Sequence, residues 1–187
     1  MAETSIRIHP TKLQRGRMAT SAIIDAPVLQ TYNDLPVDTR AEMISLLNYR
    51  LADCIDLQTQ TKQAHWNVRG PNFIGLHKLF DEINEAVEDY VDLIAERAAQ
   101  LGGNVEGTAR VVAGRSALDE YPHGIHDGMR HVEALSNALA TFGRAARAGI
   151  DSANDANDAD TADIFTEISR GIDQWLWFVE AHGQAER

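Results

Sequence analysis

One segment, Asn72 to Leu101, separates its apolar and acidic residues onto two sides of a helix, and this limits the folds open to the chain. Gly70-Pro71 stops whatever precedes the segment, and Gly102-Gly103 supplies a C-terminal stop. At about 100° per residue, His77, Glu85, Glu88, Asp92 and Glu96 all fall within roughly 60° of Asp81. Leu79, Phe80, Ile83, Val87, Tyr90, Val91 and Ile94 take the opposite side. Such a helix buries one face in its own bundle and turns a stripe of carboxylates and an imidazole toward something else.

A solvated surface is the ordinary fate of an acidic stripe, but two features favour a bound cation. His77 and Asp81 are spaced i, i+4, as are Asp92 and Glu96, and at that spacing two side chains on one helix can share an ion. No basic residue lies between Lys78 and Arg97, so like charges stack along the helix without compensation from its own sequence. Asp81 and Asp92 stand about 16 Å apart along the axis, too far for one ion to touch both. Two copies packed antiparallel about a twofold axis near Ala86 and Val87 would set His77 and Asp81 of one chain against Asp92 and Glu96 of the other. An isologous contact repeats the arrangement reciprocally, giving two equivalent sites. Their mixed imidazole and carboxylate donors suit iron or zinc better than calcium or magnesium.

The run QAHWNVRGPNF, followed by LHKLFD and then DLIAER, resembles the Dps proteins (DNA-binding proteins from starved cells), a branch of the ferritin-like superfamily. The similarity runs from Leu35 to His182 and takes in TKQAHWN, AERAAQLGG, DTADIF and LWFVEAH. It implies a two-iron ferroxidase centre between subunits, with His65, His77 and Asp81 from one chain and Asp92 and Glu96 from the other. All five residues are present. Taken alone, His65 reads as a helix-end residue, and only the resemblance and the pattern from 77 to 96 make it a ligand. Trp66 reads as packing, whereas the resemblance places it beside the iron, taking up oxidising equivalents.

The chain's 187 residues suit one domain with a sizeable core. A formal charge of −11 argues against nucleic-acid binding by the body. Cys54 is the only cysteine, so no disulfide forms within one chain, which fits a reducing compartment. No secretory leader and no apolar run approaching a membrane span is evident, so the expected location is cytoplasmic, or nucleoid-associated if DNA is bound. Residues 1–33 lack helical periodicity and read as a flexible basic extension before a domain over 34–187. Within residues 1–17, Arg7, Lys12, Arg15 and Arg17 against Glu3 give 4 − 1 = +3, whereas the rest of the chain gives 13 − 27 = −14. Many such arms acting together can contact phosphate backbones, and similar extensions in the Dps family are linked to DNA binding. A solubilising or cage-docking tail is the other reading of the arm.

Three further helices are predicted, at Pro36–His65, Ile125–Arg147 and Asp160–His182, with Asp34 as a cap of the first. Met129, Val132, Leu135, Leu139 and Phe142 face inward from the third, and Ile164, Phe165, Ile168, Ile172, Trp175, Leu176 and Val179 from the fourth. The expected fold is all-α, a ferritin-like four-helix bundle with a long crossover between helices two and three. Val111–Ala113 forms a short crossover helix by the resemblance. His123, His126 and His131 read as surface or packing residues. Among the acidic residues before the last helix, Asp160 and Asp163 read as capping and dipole residues, and Asp151, Asp155 and Asp158 as loop solubility. The resemblance adds that Asp160 and Asp163 line a threefold pore drawing in Fe(II).

The resulting expectation is a Dps-type mini-ferritin. It is a homododecamer without membrane contact that oxidises Fe(II) with hydrogen peroxide or dioxygen, stores ferric iron and protects DNA. Two other readings are a nucleoid-structuring DNA binder with secondary iron chemistry, and a purely structural helical oligomer. The intact five-ligand set opposes the structural reading.

Overall fold

A computed structural model describes residues 27–184, so Arg7, Lys12, Arg15 and Arg17 lie outside the described residues. Five helices follow in order: α1 (Val37–Asn67), α2 (Phe73–Gln100), the short α3 (Ala109–Arg115), α4 (Gly128–Asp155) and α5 (Ala159–Ala181). Among the described residues there is no strand, only an isolated bridge between Arg69 and Asp127. No described helix is long and apolar enough to cross a membrane. The short connections 68–72 and 156–158 fold α1 against α2 and α4 against α5, while residues 101–127, with α3, form the long crossover. This is the predicted all-α four-helix bundle.

The core is built from the apolar stripes. Met43, Leu47, Leu51 and Leu57 of α1 meet Leu76, Phe80, Ile83, Val87 and Ile94 of α2. Leu135, Leu139 and Phe142 of α4 and Phe165, Ile168, Ile172 and Val179 of α5 complete it. Each of these side chains contributes on the order of 1.5–3 kcal/mol by leaving water. Met129, expected inward, is exposed in the first turn of α4 at the end of the bundle.

Two helix ends differ from expectation. Asp34 is not the cap of α1, because Pro36 takes that position and no side chain caps the helix. The buried Arg40 guanidinium joins the helix start to the end of α2 instead, donating to the carbonyls of Leu35, Leu29 and Leu101. Leu29 in turn donates its N–H to the Gly102 carbonyl at 2.9 Å. Gly102 has φ +85°, and a Cβ there would lie 2.6 Å from the Leu29 oxygen, so only glycine suits this contact.

The second difference is at the end of α4, which runs past Arg147 to Asp155. Residues 148–155 hold no proline, and Gly149 lets the Phe165 ring approach to where a Cβ would be 2.9 Å away. Asp151 and Asp155 are therefore exposed helix residues rather than loop. Asp158 is not a solubilising residue either. It is buried as the N-cap of α5, accepting from the Thr161 N–H at 3.1 Å, the Thr161 hydroxyl at 2.6 Å and Arg97 Nη2 at 2.7 Å. Asn157, at φ 58°, makes the turn that brings it there.

Candidate metal centre

α1 ends on His65-Trp66-Asn67, and the turn through Gly70, at φ +106°, lays the start of α2 beside that end. His65 Nδ1 lies 2.8 Å from the His77 carbonyl, and His77 Nδ1 lies 2.9 Å from the His65 carbonyl. The two rings stack with centroids 3.7 Å apart at 20°. A carbonyl oxygen only accepts, so both Nδ1 atoms carry the proton, and each neutral ring keeps its Nε2 lone pair for another partner. The backbone thus presets both imidazoles as Nε2 donors.

Asp81 follows His77 by one turn, its Oδ1 3.8 Å from His65 Nδ1. Lys62 of α1 reaches across and pairs with the same oxygen. The Asp81 carboxyl is held below the usual carboxylate range chiefly by this hydrogen bond, with burial opposing, the Lys62 charge assisting, and His65 and His77 adding to it only when protonated. Its side chain is 37% exposed, so solvent screens the effect. The acidic stripe is therefore compensated at Asp81, contrary to the reading along α2 alone. Lys62 lies one turn before His65 on α1, and that spacing was the signal available for it.

Glu85, Glu88, Asp92 and Glu96 are exposed farther along α2, with no ion pair formed to them among the described residues. Among the described residues no group of three His, Cys, Asp or Glu side chains is placed to hold a metal ion within one chain. The five predicted ligands accordingly divide, with His65, His77 and Asp81 together and Asp92 and Glu96 apart. Apolar surface surrounds the first group, where Trp66 is 67% exposed, Ile74 62% and Phe73 40%. Trp66 and Lys62 also line a groove of about 780 Å³ together with Leu118 and Tyr121. At the other end of α2, Asp160 and Asp163 stand exposed in the first turns of α5. Asp160 Oδ2 lies 3.6 Å from Arg97 Nη1. Arg97, next to Glu96, is buried against Asp158, a contact that the sequence reading did not anticipate.

The ferritin-like domain family matches residues 44–187. A DNA protection during starvation protein from Agrobacterium fabrum is 43% identical over 83% of this chain and 96% of its own length. One from Mycolicibacterium smegmatis is 32% identical over 76% of this chain and 77% of its own length. DpsC from Streptomyces coelicolor superposes with a TM-score of 0.82 at 28% identity, covering 86% of this chain and 94% of that structure. By its five-helix fold, its domain match and these relatives, the chain belongs to the Dps family of ferritin-like proteins.

Proposed function

We propose that this chain is a Dps-type mini-ferritin that oxidises Fe(II), with hydrogen peroxide as the preferred oxidant, at two-iron centres between subunits. It works as a cytoplasmic homododecamer that stores the ferric product and protects DNA. The observation that carries the reading is the reciprocal His65–His77 lock beside Asp81, which leaves two Nε2 atoms and the Asp81 oxygen that Lys62 does not hold to meet Fe(II). Asp92 and Glu96 of a second copy complete the donor set, and Trp66, Phe73 and Ile74 supply apolar surface for that copy to cover.

Iron is the substrate. Hard carboxylate oxygens favour Fe(III) over Fe(II), so Asp81, Asp92 and Glu96 pull the couple toward oxidation. Two Fe(II) ions give up one electron each, and hydrogen peroxide with two protons becomes two waters. Delivering both electrons together avoids releasing hydroxyl radical. Lys62 engages Oδ1 of Asp81 and leaves Oδ2 available. Asp160 and Asp163 act as cation-attracting carboxylates at a pore. Trp66 takes up stray oxidising equivalents at the site.

Anaerobic Fe(II) titration followed by peroxide tests this reading. Saturable Fe(II) binding, then oxidation of two irons per peroxide, is expected, with both lost in His77→Ala/Asp81→Ala. Peroxide consumption that the double variant leaves unchanged would sink it. A nucleoid-structuring role with secondary iron chemistry rests on the basic arm and on the relatives' name. Gel shifts on full-length and truncated protein distinguish it.

A further inference from the structure

The crossover segment 116–127 reaches the interior through Tyr121, which is 7% exposed. Its hydroxyl lies 2.6 Å from Nδ1 of His131, a fully buried residue near the start of α4. The two rings are 19° from parallel, and Phe80 of α2 packs against the imidazole with centroids 6.4 Å apart. His131 Nε2 is buried and makes no well-formed hydrogen bond. The titratable groups facing this ring are Tyr121 and His126 of the crossover and Asp127 at the N-cap of α4. α1 and α2 present the Asn67 carbonyl and the Phe80 ring. Burial holds His131 below the usual histidine value, outweighing the Ile125 and Asn67 carbonyls and Asp127, which favour the cation. Burial likewise pushes the Tyr121 phenol well up, so it stays protonated.

Tyr121 also stands between two cavities. Together with Gln60 and Glu120 it lines both the groove of about 780 Å³ that contains Lys62 and Trp66 and a smaller cavity of about 310 Å³ bounded by Ile125, Arg130 and Glu133. Ser116, Ala117 and Asp119 tie the start of the segment to Asp56, Asp53 and Gln60 of α1, whereas Tyr121 itself is tied to an ionisable ring.

We propose that the Tyr121–His131 pair is a proton-operated latch on the crossover: neutral His131 holds Tyr121 in, and protonation of His131 releases it, joining the two cavities beside Lys62 and Trp66. Neutral His131 accepts the phenolic O–H at Nδ1. The imidazolium has N–H donors at both nitrogens, so the phenol must turn from donor to acceptor. That leaves the phenolic O–H without the acceptor it had, and puts the new charge in a buried position at the positive end of the α4 dipole. Opening the segment gives the cation water. In the open form His131 titrates near the ordinary value of roughly 6.5, above its value in the closed form. Opening therefore grows as pH falls below about 6.5, by at most about tenfold per pH unit, and levels off below the closed-form value. This does not depend on the iron reading.

Amide hydrogen exchange by mass spectrometry on the intact metal-free protein, corrected for the intrinsic pH dependence of exchange, tests the latch. Segment 116–127 should open more readily as pH falls from about 7.5 to 5.5, while α1 and α2 keep their protection. Exchange of the His131 C2 hydrogen in the same samples should give a titration midpoint below roughly 6.5. His131→Gln accepts from Tyr121 but does not ionise, and should flatten the pH dependence. Opening that ignores pH, a His131 midpoint at or above the ordinary histidine value, or unchanged pH dependence in His131→Gln overturns the latch. Should His131→Gln fail to fold, the wild-type protein still decides, because the loss of protection must fall in the pH range where His131 titrates.

Discussion

His65 and His77 each donate Nδ1–H to the other's backbone carbonyl, at 2.8 and 2.9 Å, so each ring is oriented by the residue it is stacked upon. The lock lies within one chain, whereas Asp92 and Glu96 lie too far along α2 to join it. His77→Ala/Asp81→Ala and Asp92→Ala/Glu96→Ala should each abolish peroxide-dependent iron oxidation. Cages co-assembled from the two variants should regain part of it, because one site in each mixed dimer has every ligand. Mixed cages that stay inactive despite demonstrated subunit exchange would show that the site is not shared.

Lys62→Met removes the hydrogen bond that chiefly holds Asp81 low, so the Asp81 pKa should rise toward the ordinary carboxylate value. The sign follows from which form is favoured: a lowered pKa keeps Asp81 ionised at more acid pH, and loss of Lys62 narrows that range. In anaerobic Fe(II)-binding profiles the acid limb should move to higher pH. Near neutrality binding should persist, since Asp81 is ionised in both proteins. An unmoved acid limb would separate Lys62 from the state of Asp81.

Arg97→Met leaves the Asp158 carboxylate buried with its charge unpaired, and should cost about 3 kcal/mol or more. In a thermal melt that corresponds to a fall of roughly 6–12 °C for a chain of this size. Asp158→Asn keeps an acceptor for Arg97 and Thr161 and should cost less. Equal melting of wild type and Arg97→Met would show that the pair adds nothing.

Asp160→Asn/Asp163→Asn should slow iron oxidation at low Fe(II) and leave it unchanged at high Fe(II), because removing carboxylates from a passage lowers the local cation concentration. High salt should mimic the variant in the wild-type protein. Stopped-flow oxidation across a range of Fe(II) checks this, and an identical rate at every concentration would remove the pore role.

Deleting residues 1–17 should abolish a DNA gel shift and spare iron oxidation, because the remaining chain has a balance of 13 − 27 = −14 and repels phosphate. For the full-length protein, affinity should fall steeply with salt, since many arms act together. Unchanged DNA affinity after the deletion would place the contact elsewhere.

The sequence alone determined what depends on spacing along one helix. The stripe from His77 to Glu96, the glycine stops around α2 and the apolar faces of all four long helices follow from a period of about 3.6 residues, which needs no tertiary information. Four ligand candidates, His77, Asp81, Asp92 and Glu96, were named from their i, i+4 spacing, and His65 only through the family resemblance and that pattern. Contacts between helices depend on how each one rotates and slides against its neighbour, and packing decides that. Only the fold could show that Lys62 of α1 answers Asp81 of α2, or that the tautomers of His65 and His77 are set by each other's backbone. The same holds for Asp158, which reads as one more loop carboxylate until the extended α4 and the turn at Asn157 bury it against Arg97. His131 reads as a packing residue, and the fold shows the crossover Tyr121 hydroxyl against its ring.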